Sequence, residues 1–318
     1  MGDALDDWLA AGVNGVSART VSLYRDTIGK ALREELGTVR LTELTAGDVQ
    51  GALAALAARL SSRTVQIAHN VLVRAIRQAE RDDLVGRNVA ALVKPPKGQG
   101  AGRPSKSLTL EQAVALMAAA RGTRLEAYIT LSLLTGLRTE EVRALRWDHV
   151  VAWVGGQWEL VSEAGFDHEQ LAVFVWRADR AGGDTKTPGS RRTLALPRRC
   201  VEALREHRVR QAEDRLAAGP LWQDRGLVFA STVGTPLDDH NVRRQFRVIT
   251  EAAGLGKAWV PRELRHTFVS LLSAHGVPVE AITLLAGHNQ TATTELVYRH
   301  QIVPALTRGA EVMDEIFG

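Results

Sequence analysis

The sequence has a single cysteine, Cys200, and therefore cannot form an intramolecular disulfide. Its first residues also lack the basic, apolar and small-residue segments of a secretory signal, so we expect a protein of the reducing cytoplasm. The most apolar stretches, GALAALAARL and YITLSLLTGL, are well short of the roughly 20 residues that a helix needs to cross a bilayer. These absences predict a soluble protein with no membrane contact.

Metal-binding and nucleotide-binding patterns are lacking as well. There is no HExxH motif and no pair of CxxC motifs, and the nine histidines are scattered. Gly98, Gly100 and Gly102 superficially resemble a dinucleotide-binding loop, but prolines flank them and no predicted strand precedes them. We therefore expect neither a metal site nor a nucleotide cofactor.

Length and local positive charge are what the chain does have. Its 318 residues, 45% of them hydrophobic, are enough for two cores, because domains usually contain about 100–200 residues. The formal net charge is only +4, but the runs SRRTLALPRRC and NVRRQFR concentrate arginine locally. Such runs indicate basic faces, which suit a polyanionic partner.

Residues 1–94 are predicted to form a helical domain. Residues 17–36 have the apolar spacing of an amphipathic helix, and Thr45 followed by Asp48 is typical of a capped helix start. A third helix begins at Ser61 or Ser62. Its outer faces carry arginines that either contact DNA or are simply solvated; they are Arg63, Arg74, Arg77 and Arg81.

Residues 95–107 are predicted to be a linker. Proline, glycine and lysine replace the apolar periodicity here, and such a composition does not form a packed element. The second domain is expected to cover residues 108–318, with a C-terminal tail from about residue 301. A flexible basic linker would allow two domains to close around opposite sides of a duplex.

The second domain is predicted to start with helices. Thr109 and Gln112 form a capping-box pattern, and a strongly apolar helix follows that ends at Gly136. Arg138 lies in the next bend, one helical turn from Glu141. A carboxylate at this distance can pin a guanidinium and leave other donors free for a ligand, although an ordinary surface ion pair has the same pattern.

From His149 the apolar period changes to two. The segments VVAWV, QWELV and LAVFVW predict a small antiparallel sheet, so that the protein is mainly α with a minor β part, an α+β fold. Lys186 then lies near the tip of a hairpin, where most lysines are only solvated. Helices are predicted again over 198–217 and 238–253, and GLVFAS between them is either a short strand or a buried connection.

Cations surround a single phenol in the stretch from Pro261 to His300. The pattern predicts three short helices here, and they carry Arg262, Arg265, His266, His288, Tyr298 and His300. Arginine supplies planar forks of donors that match phosphate oxygens. A phenol can attack phosphorus if its pKa is lowered or if a base takes its proton. The stretch therefore indicates chemistry on a phosphate ester.

Four motifs in this order resemble the tyrosine recombinase (phage integrase) family. They are TGLRTEEVRALRW, TKTPGSRRTLALP, RELRHTF and LAGHNQTATTELVYRH. The resemblance implies the two-domain fold of that family, in which the catalytic domain is preceded by a helical core-binding (SAM-like) domain. The first domain resembles the family more weakly than the second.

The resemblance also implies a role for each matching residue. Arg138 and Arg265 resemble the arginines that clamp the non-bridging oxygens of the scissile phosphate, and Glu141 resembles the acidic residue that supports the first of them. Lys186 matches the general acid for the departing 5′-oxygen. The other matches are His288, which hydrogen-bonds the phosphate, the nucleophile Tyr298, and the structural histidine His266.

Arg262 departs from the family pattern, in which histidine stands three positions before the second arginine. Arginine is almost always protonated, so it is a poor general base, although it can still donate hydrogen bonds to phosphate. Two alternatives remain for the proton of Tyr298. Either the surrounding cations lower the pKa of the phenol, or water accepts the proton.

The implied function is site-specific DNA recombination through a 3′-phosphotyrosyl intermediate, without metal or ATP, in integration or excision of a phage or another mobile element. The implied partners are double-stranded DNA core sites, further copies of the chain in a tetramer, and accessory directionality or bending proteins in the nucleoid of a bacterial host. The arginines expected to contact DNA are Arg63, Arg74, Arg77, Arg191, Arg192, Arg243 and Arg244.

Three other functions stay open at this point. Arg262 would suit a DNA-binding relative that lacks cleavage, and the same chemistry serves chromosome-dimer or plasmid resolution and relaxing topoisomerases. An N-terminal arm-binding domain is expected to be either lacking or removed. The tail resembles a segment that packs on a neighbouring protomer, and packing against its own chain is the alternative.

Overall fold

The protein is represented by a computed structural model that describes residues 1–11, 13, 16, 18–100, 106–176, 178, 191–287 and 307–317. The chain divides into two compact units, Met1–Pro104 and Ser105–Gly318. Within the described ranges, no helix combines the length and the apolar character of a membrane span.

The first unit is helical. Its helices are α1 (Gly2–Ala10), α2 (Ala18–Thr27), α3 (Arg33–Leu36), α4 (Ala46–Arg59) and α5 (Ser62–Arg81). A π-helical turn, Ile28–Leu32, joins α2 to α3, so residues 18–36 of the predicted helix form one continuous helical run. Thr45 and Asp48 cap α4 reciprocally, with N–H to oxygen distances of 2.9 and 3.1 Å, and this confirms the predicted start.

Helix α5 separates an apolar face from a basic face. The apolar residues at helical spacing, such as Val65, Leu72 and Ile76, are fully buried in the core of this unit. Ser61 caps the helix by accepting a hydrogen bond from the backbone N–H of Thr64. The three arginines predicted to contact DNA from this helix are exposed; they are Arg63, Arg74 and Arg77.

The second unit combines helices with a small sheet. Its helices are α6 (Leu110–Ala120), α7 (Glu126–Thr135), α8 (Thr139–Arg143), α9 (Val161–Ala164), α10 (Arg198–Ala218), α11 (Asp239–Ala252), α12 (Arg262–Ala274), α13 (Val279–Ala286) and α14 (Thr307–Phe317). Its strands are β1 (Val150–Val154), β2 (Gln157–Leu160), β3 (Leu171–Val175) and β4 (Arg192–Ala195).

The described strands pair antiparallel in the order β2-β1-β3-β4. Alternate residues, including Val150, Val173 and Leu194, enter the main core on one face of the sheet. The GLVFAS segment is a buried connection: Val228 and Phe229 are fully buried, and only isolated bridges pair its backbone. The predicted α+β class is thus present.

Helix α7 occupies the middle of the second unit. Every residue from Ala127 to Thr135 is buried, and the helix packs against α6, α10 and α12. A helix that is apolar on all sides is stable only when neighbours cover all its faces. The surrounding helices therefore hold the C-terminal end of α7, at Gly136, in a fixed position.

Helix α14 packs on its own chain. Met313 and Phe317 enter the main core, and the carboxylate of Asp314 accepts a hydrogen bond of 2.9 Å from the backbone N–H of Arg198. The resemblance suggested packing on a neighbouring protomer. In this structure the alternative holds, because the apolar side of α14 is covered by α7, α12 and β4.

Candidate active site

The bend between α7 and α8 carries Arg138. Gly136 ends α7 in the left-handed conformation, with φ of 64°, and a Cβ added there would lie 2.4 Å from Cδ1 of Phe268. Only glycine fits this position without displacing the ring. The chain then turns so that Arg138 becomes the residue that precedes α8.

Glu141 holds Arg138 by two contacts. Its carboxylate accepts a hydrogen bond of 2.9 Å from the backbone N–H of Arg138 and one of 2.6 Å from Nη1 of the same residue. The carboxylate is almost fully buried, whereas the side chain of Arg138 keeps 19% of its surface exposed. The predicted pairing of these residues is therefore present, and it is more than a surface ion pair.

Arg265 reaches the same place from α12. Its side chain is buried, and Nη1 donates a hydrogen bond of 2.7 Å to the carbonyl of Gly136. Its Nη2 is buried and has no hydrogen-bond partner in the described part of the chain. A buried donor without an acceptor is costly, by about 1–3 kcal/mol, so this atom is suited to an incoming anion.

Arg192 lies in the interior of this site, which corrects the expectation that it contacts DNA. The residue is only 2% exposed. Its Nη2 donates to Glu141 over 3.0 Å, and its Nε donates to the carbonyl of Leu285 over 2.8 Å. A guanidinium enclosed in this way has no surface to offer to a duplex.

The run of basic residues around Arg192 suggested a basic surface and gave no indication that this side chain is buried. The period-two alternation of β4 could have indicated it, because Arg192 lies on the same side of the strand as the buried Leu194. Arg191, one position earlier, is exposed as expected.

The cluster of Arg138, Glu141, Arg192 and Arg265 has an excess of positive charge, because it contains three guanidinium groups and one carboxylate. Burial alone would raise the pKa of Glu141, but the charges and hydrogen bonds of Arg192 and Arg138 hold it below its ordinary value. Burial, followed by the charges of Arg138 and Arg192, lowers the pKa of Arg265 to about 9. The cluster therefore favours an additional anion.

Arg262 and His266 lie on α12 beside Arg265. Arg262 is exposed on the first turn, three positions before Arg265, and these two residues share a helix face. Burial lowers the pKa of the half-buried His266, and the charges of Arg262 and Arg265 lower it further. Both effects favour the neutral form of His266.

The other predicted site residues are placed as follows. Lys186, His288 and Tyr298 lie outside the described residues. On α11, Arg243 pairs with Asp239 over 2.7 Å, and Arg244 is exposed. The exposed arginines of α5 belong to the first unit. In the described ranges, no group of three or more histidine, cysteine, aspartate or glutamate residues is arranged to hold a metal ion.

Two comparisons of sequence bear on this site. The model of the phage integrase family matches residues 106–303. An integrase of Streptomyces ambofaciens is 51% identical over 318 residues, which make up 99% of this chain and 80% of that protein. The matched range contains all four residues of the cluster.

Two solved structures resemble the fold. The Tn1549 transposon integrase in complex with a circular intermediate DNA has a TM-score of 0.70 at 17% identity, and the match covers 95% of this chain and 99% of that chain. A lambda integrase dimer bound to a COC′ core site has a TM-score of 0.64 at 19% identity, covering 96% and 98%. These matches confirm the fold class.

Proposed function

Because the chain belongs to the phage integrase family and is a tyrosine-type site-specific recombinase of DNA integration and excision, we propose that the cluster binds the scissile phosphate. Arg138 and Arg265 would each donate to a non-bridging oxygen, and Tyr298 would attack the phosphorus. Glu141 would orient Arg138 through the hydrogen bonds that its carboxylate accepts.

The unpartnered Nη2 of Arg265 is the observation that supports this proposal best. Burial, followed by the charges of the neighbouring arginines, lowers the pKa of Arg265. A phosphodiester would supply both the acceptor that this atom lacks and the negative charge that the cluster favours. Because the donors are already in place, they would stabilise the charge of the transition state with little reorganisation.

The proposed reaction conserves the number of ester bonds. The phenolic oxygen of Tyr298 forms a bond to phosphorus while the bond from phosphorus to the 5′-oxygen breaks, and Lys186 gives that oxygen its proton. His288 would hydrogen-bond the phosphate. A 5′-hydroxyl of a second DNA then attacks the phosphotyrosine and releases the tyrosine, so the cycle consumes no nucleotide.

The proton of Tyr298 would leave for water or be lost because nearby cations lower the pKa of the phenol. Arg262 would donate hydrogen bonds to the phosphate rather than act as a base, because an arginine side chain has only donors. The alternative, a DNA-binding relative that does not cleave, is not favoured. Glu141 holds Arg138, and Arg265 is held by the carbonyl of Gly136, so both arginines of the proposed clamp are in place.

Double-stranded core-site DNA is the proposed partner, bound by several copies of the chain. A lambda integrase tetramer bound to a Holliday junction is similar to this fold, with a TM-score of 0.63. We propose a tetramer for this chain too, with the exposed arginines of α5, together with Arg191 and Arg244, on the phosphate backbone. Accessory bending proteins and action at the host nucleoid belong to the same proposal.

A nicked suicide substrate would test the function. The core-site duplex is first selected from a random library by its binding to the protein, and a nick is then placed so that the released fragment diffuses away. The wild-type chain should accumulate a covalent protein–DNA adduct, and Tyr298→Phe should form none. Equal amounts of adduct from the two proteins would refute the proposal.

The matched control is Arg124→Gln. Arg124 forms a bidentate pair with Asp214 at 2.7 and 2.8 Å, so the substitution removes an arginine–carboxylate pair of the same type away from the cluster. Adduct formation should be unchanged in this variant.

A further inference from the structure

Arg192 is the least exposed of the three arginines in the cluster. We infer that it is a positioning residue for DNA cleavage: it acts on Arg138 through their shared carboxylate, and it fixes the end of α13. This inference rests on the proposed function, since it concerns how the same phosphate clamp is held.

The geometry divides the two arginines between two tasks. Both donate to the carboxylate of Glu141, Arg138 over 2.6 Å and Arg192 over 3.0 Å. The side chain of Arg138 is 19% exposed and that of Arg192 is 1% exposed. Arg138 can therefore reach a ligand, while Arg192 contacts only protein groups.

The shared carboxylate explains why a second arginine is needed. If Glu141 were paired with Arg138 alone, its charge would cancel the charge that Arg138 presents to the phosphate. Arg192 balances the carboxylate from the inner side, so that Glu141 can orient Arg138 without neutralising the site. A buried carboxylate also requires such compensation to stay ionised.

The second task concerns the C-terminal end of α13. The last carbonyls of a helix have no partner within the helix and attract cations. Here Nε of Arg192 donates to the carbonyl of Leu285 over 2.8 Å, and Nη2 of Arg138 donates to that of Gly287 over 2.5 Å. These contacts hold the end of α13, which directly precedes the predicted catalytic residue His288 in the sequence.

Gly287 shows how closely the backbone lies on this guanidinium. It has a φ of 62°, and a Cβ added to it would be 2.7 Å from Nη1 of Arg192. The guanidinium is held by Glu141 and Leu285, so it could not move aside without losing those hydrogen bonds. Glycine is therefore required at position 287 for two reasons: its positive φ, and the short distance between the backbone and the guanidinium of Arg192.

The test is a double-mutant cycle of Arg192→Gln and Glu141→Gln, with the rate of adduct formation on the suicide duplex as the readout. Arg192→Gln should lower the rate about 10–100-fold, as is common for residues that orient a catalytic group. Affinity for the uncleaved duplex should change less than about threefold, because Arg192 does not touch DNA. In the Glu141→Gln background the same substitution should have a much smaller effect, since the charge that Arg192 balances is gone.

Arg192→Lys separates charge from geometry and guards against a folding defect. Lysine keeps the charge but has no fork that could bridge Glu141 and Leu285, so its rate should lie between those of wild type and Arg192→Gln. Melting temperatures of all variants are measured beside the rates. Arg124→Gln is again the control, because it removes an exposed pair of the same kind.

Two results would overturn the inference. The first is that Arg192→Gln forms the adduct at the wild-type rate. The second is that Arg192→Gln lowers the rate equally in the wild-type and Glu141→Gln backgrounds, because Arg192 would then not act through Glu141. If Arg192→Gln does not fold, the same judgement is made from Arg192→Lys in the two backgrounds. A wild-type protein that gives no more adduct than Tyr298→Phe would instead refute the proposed function.

Discussion

The guanidinium of Arg265 lies 2.7 Å from the carbonyl of Gly136, although 129 positions separate the two residues in the chain. Gly136 is also the bend from which Arg138 starts. This hydrogen bond therefore joins Arg265 to the bend that carries Arg138, the other arginine of the proposed phosphate clamp. Displacement of the bend should disturb both at once.

Gly136→Ala should unfold more easily and lose cleavage. Alanine at a φ of 64° is strained, and its Cβ would collide with the ring of Phe268 at 2.4 Å. We expect a loss of several kcal/mol in the free energy of unfolding, about 1–3 of it from backbone strain, as measured by urea denaturation. Gly122→Ala is the matched control, because Gly122 has a φ of 72° but open space around it. A similar loss in the two variants would contradict the role of the Phe268 contact.

Arg265→Gln should slow cleavage strongly while leaving the DNA-free protein as stable as wild type, or more stable. Its guanidinium is buried between like charges, and this lowers its pKa to about 9, so the charged form is disfavoured in the folded state. Loss of one such donor typically lowers a rate about 10²–10³-fold. Thermal unfolding in sulfate and in chloride of equal ionic strength provides the check. Sulfate should raise the melting temperature of wild type more than that of the variant.

Acid should remove the stabilising effect of Glu141. The folded protein holds the pKa of this carboxyl below its ordinary value, so its contribution is fully present above the ordinary value, about 4.3. It is lost as the pH falls through the lowered pKa, because the unfolded chain then binds the proton more readily. Unfolding free energies measured between pH 7 and pH 3 should fall less steeply for Glu141→Gln than for wild type. Parallel curves would contradict this prediction.

Arg262→His should introduce a titrating group into the rate of adduct formation. Arginine stays charged throughout the accessible pH range, whereas a histidine here could accept a proton and would titrate near its ordinary pKa of about 6.5. We expect the variant's rate to rise through that pH, which the wild-type rate should not do. Arg262→Gln serves as the control without a titrating group. If the pH profiles of the three proteins coincide, residue 262 takes no part in proton transfer.

Arg74 and Arg77 should contribute to DNA affinity through phosphate contacts. Both are exposed on α5, so each contact that is lost should reduce the slope of log affinity against log salt by about 0.9. Titrations at several salt concentrations compare Arg74→Gln/Arg77→Gln with wild type. Arg59→Gln is a suitable control, because Arg59 pairs with Glu34 over 2.7 Å on the same unit. An unchanged slope in the double variant would remove these residues from the interface.

Local features of the fold were predictable from the sequence because their causes are local. The capping boxes at Thr45 and Thr109, the stop at Gly136 and the strands with period two all depend on neighbours within a few positions. The pairing of Arg138 with Glu141 belongs to the same class, since it lies within one helical turn.

The place of Arg192 could not be predicted because its partners are distant. Glu141 lies 51 positions away and Leu285 lies 93 positions away, and a cluster of arginines in a sequence resembles a basic surface whether or not one of its members turns inward. The docking of α14 depends in the same way on α7, α12 and β4, which only the folded chain brings together. The apolar residues of the tail predicted burial, but not against which copy of the chain.

The position of α14 also affects when the second unit can fold. Its Met313 and Phe317 belong to the same core as residues from Leu108 onward, and Asp314 contacts the backbone of Arg198, 116 positions earlier. Contacts between distant parts of a chain form slowly, because a long segment must first close on itself. During synthesis, the core of this unit therefore stays incomplete until α14 has been made.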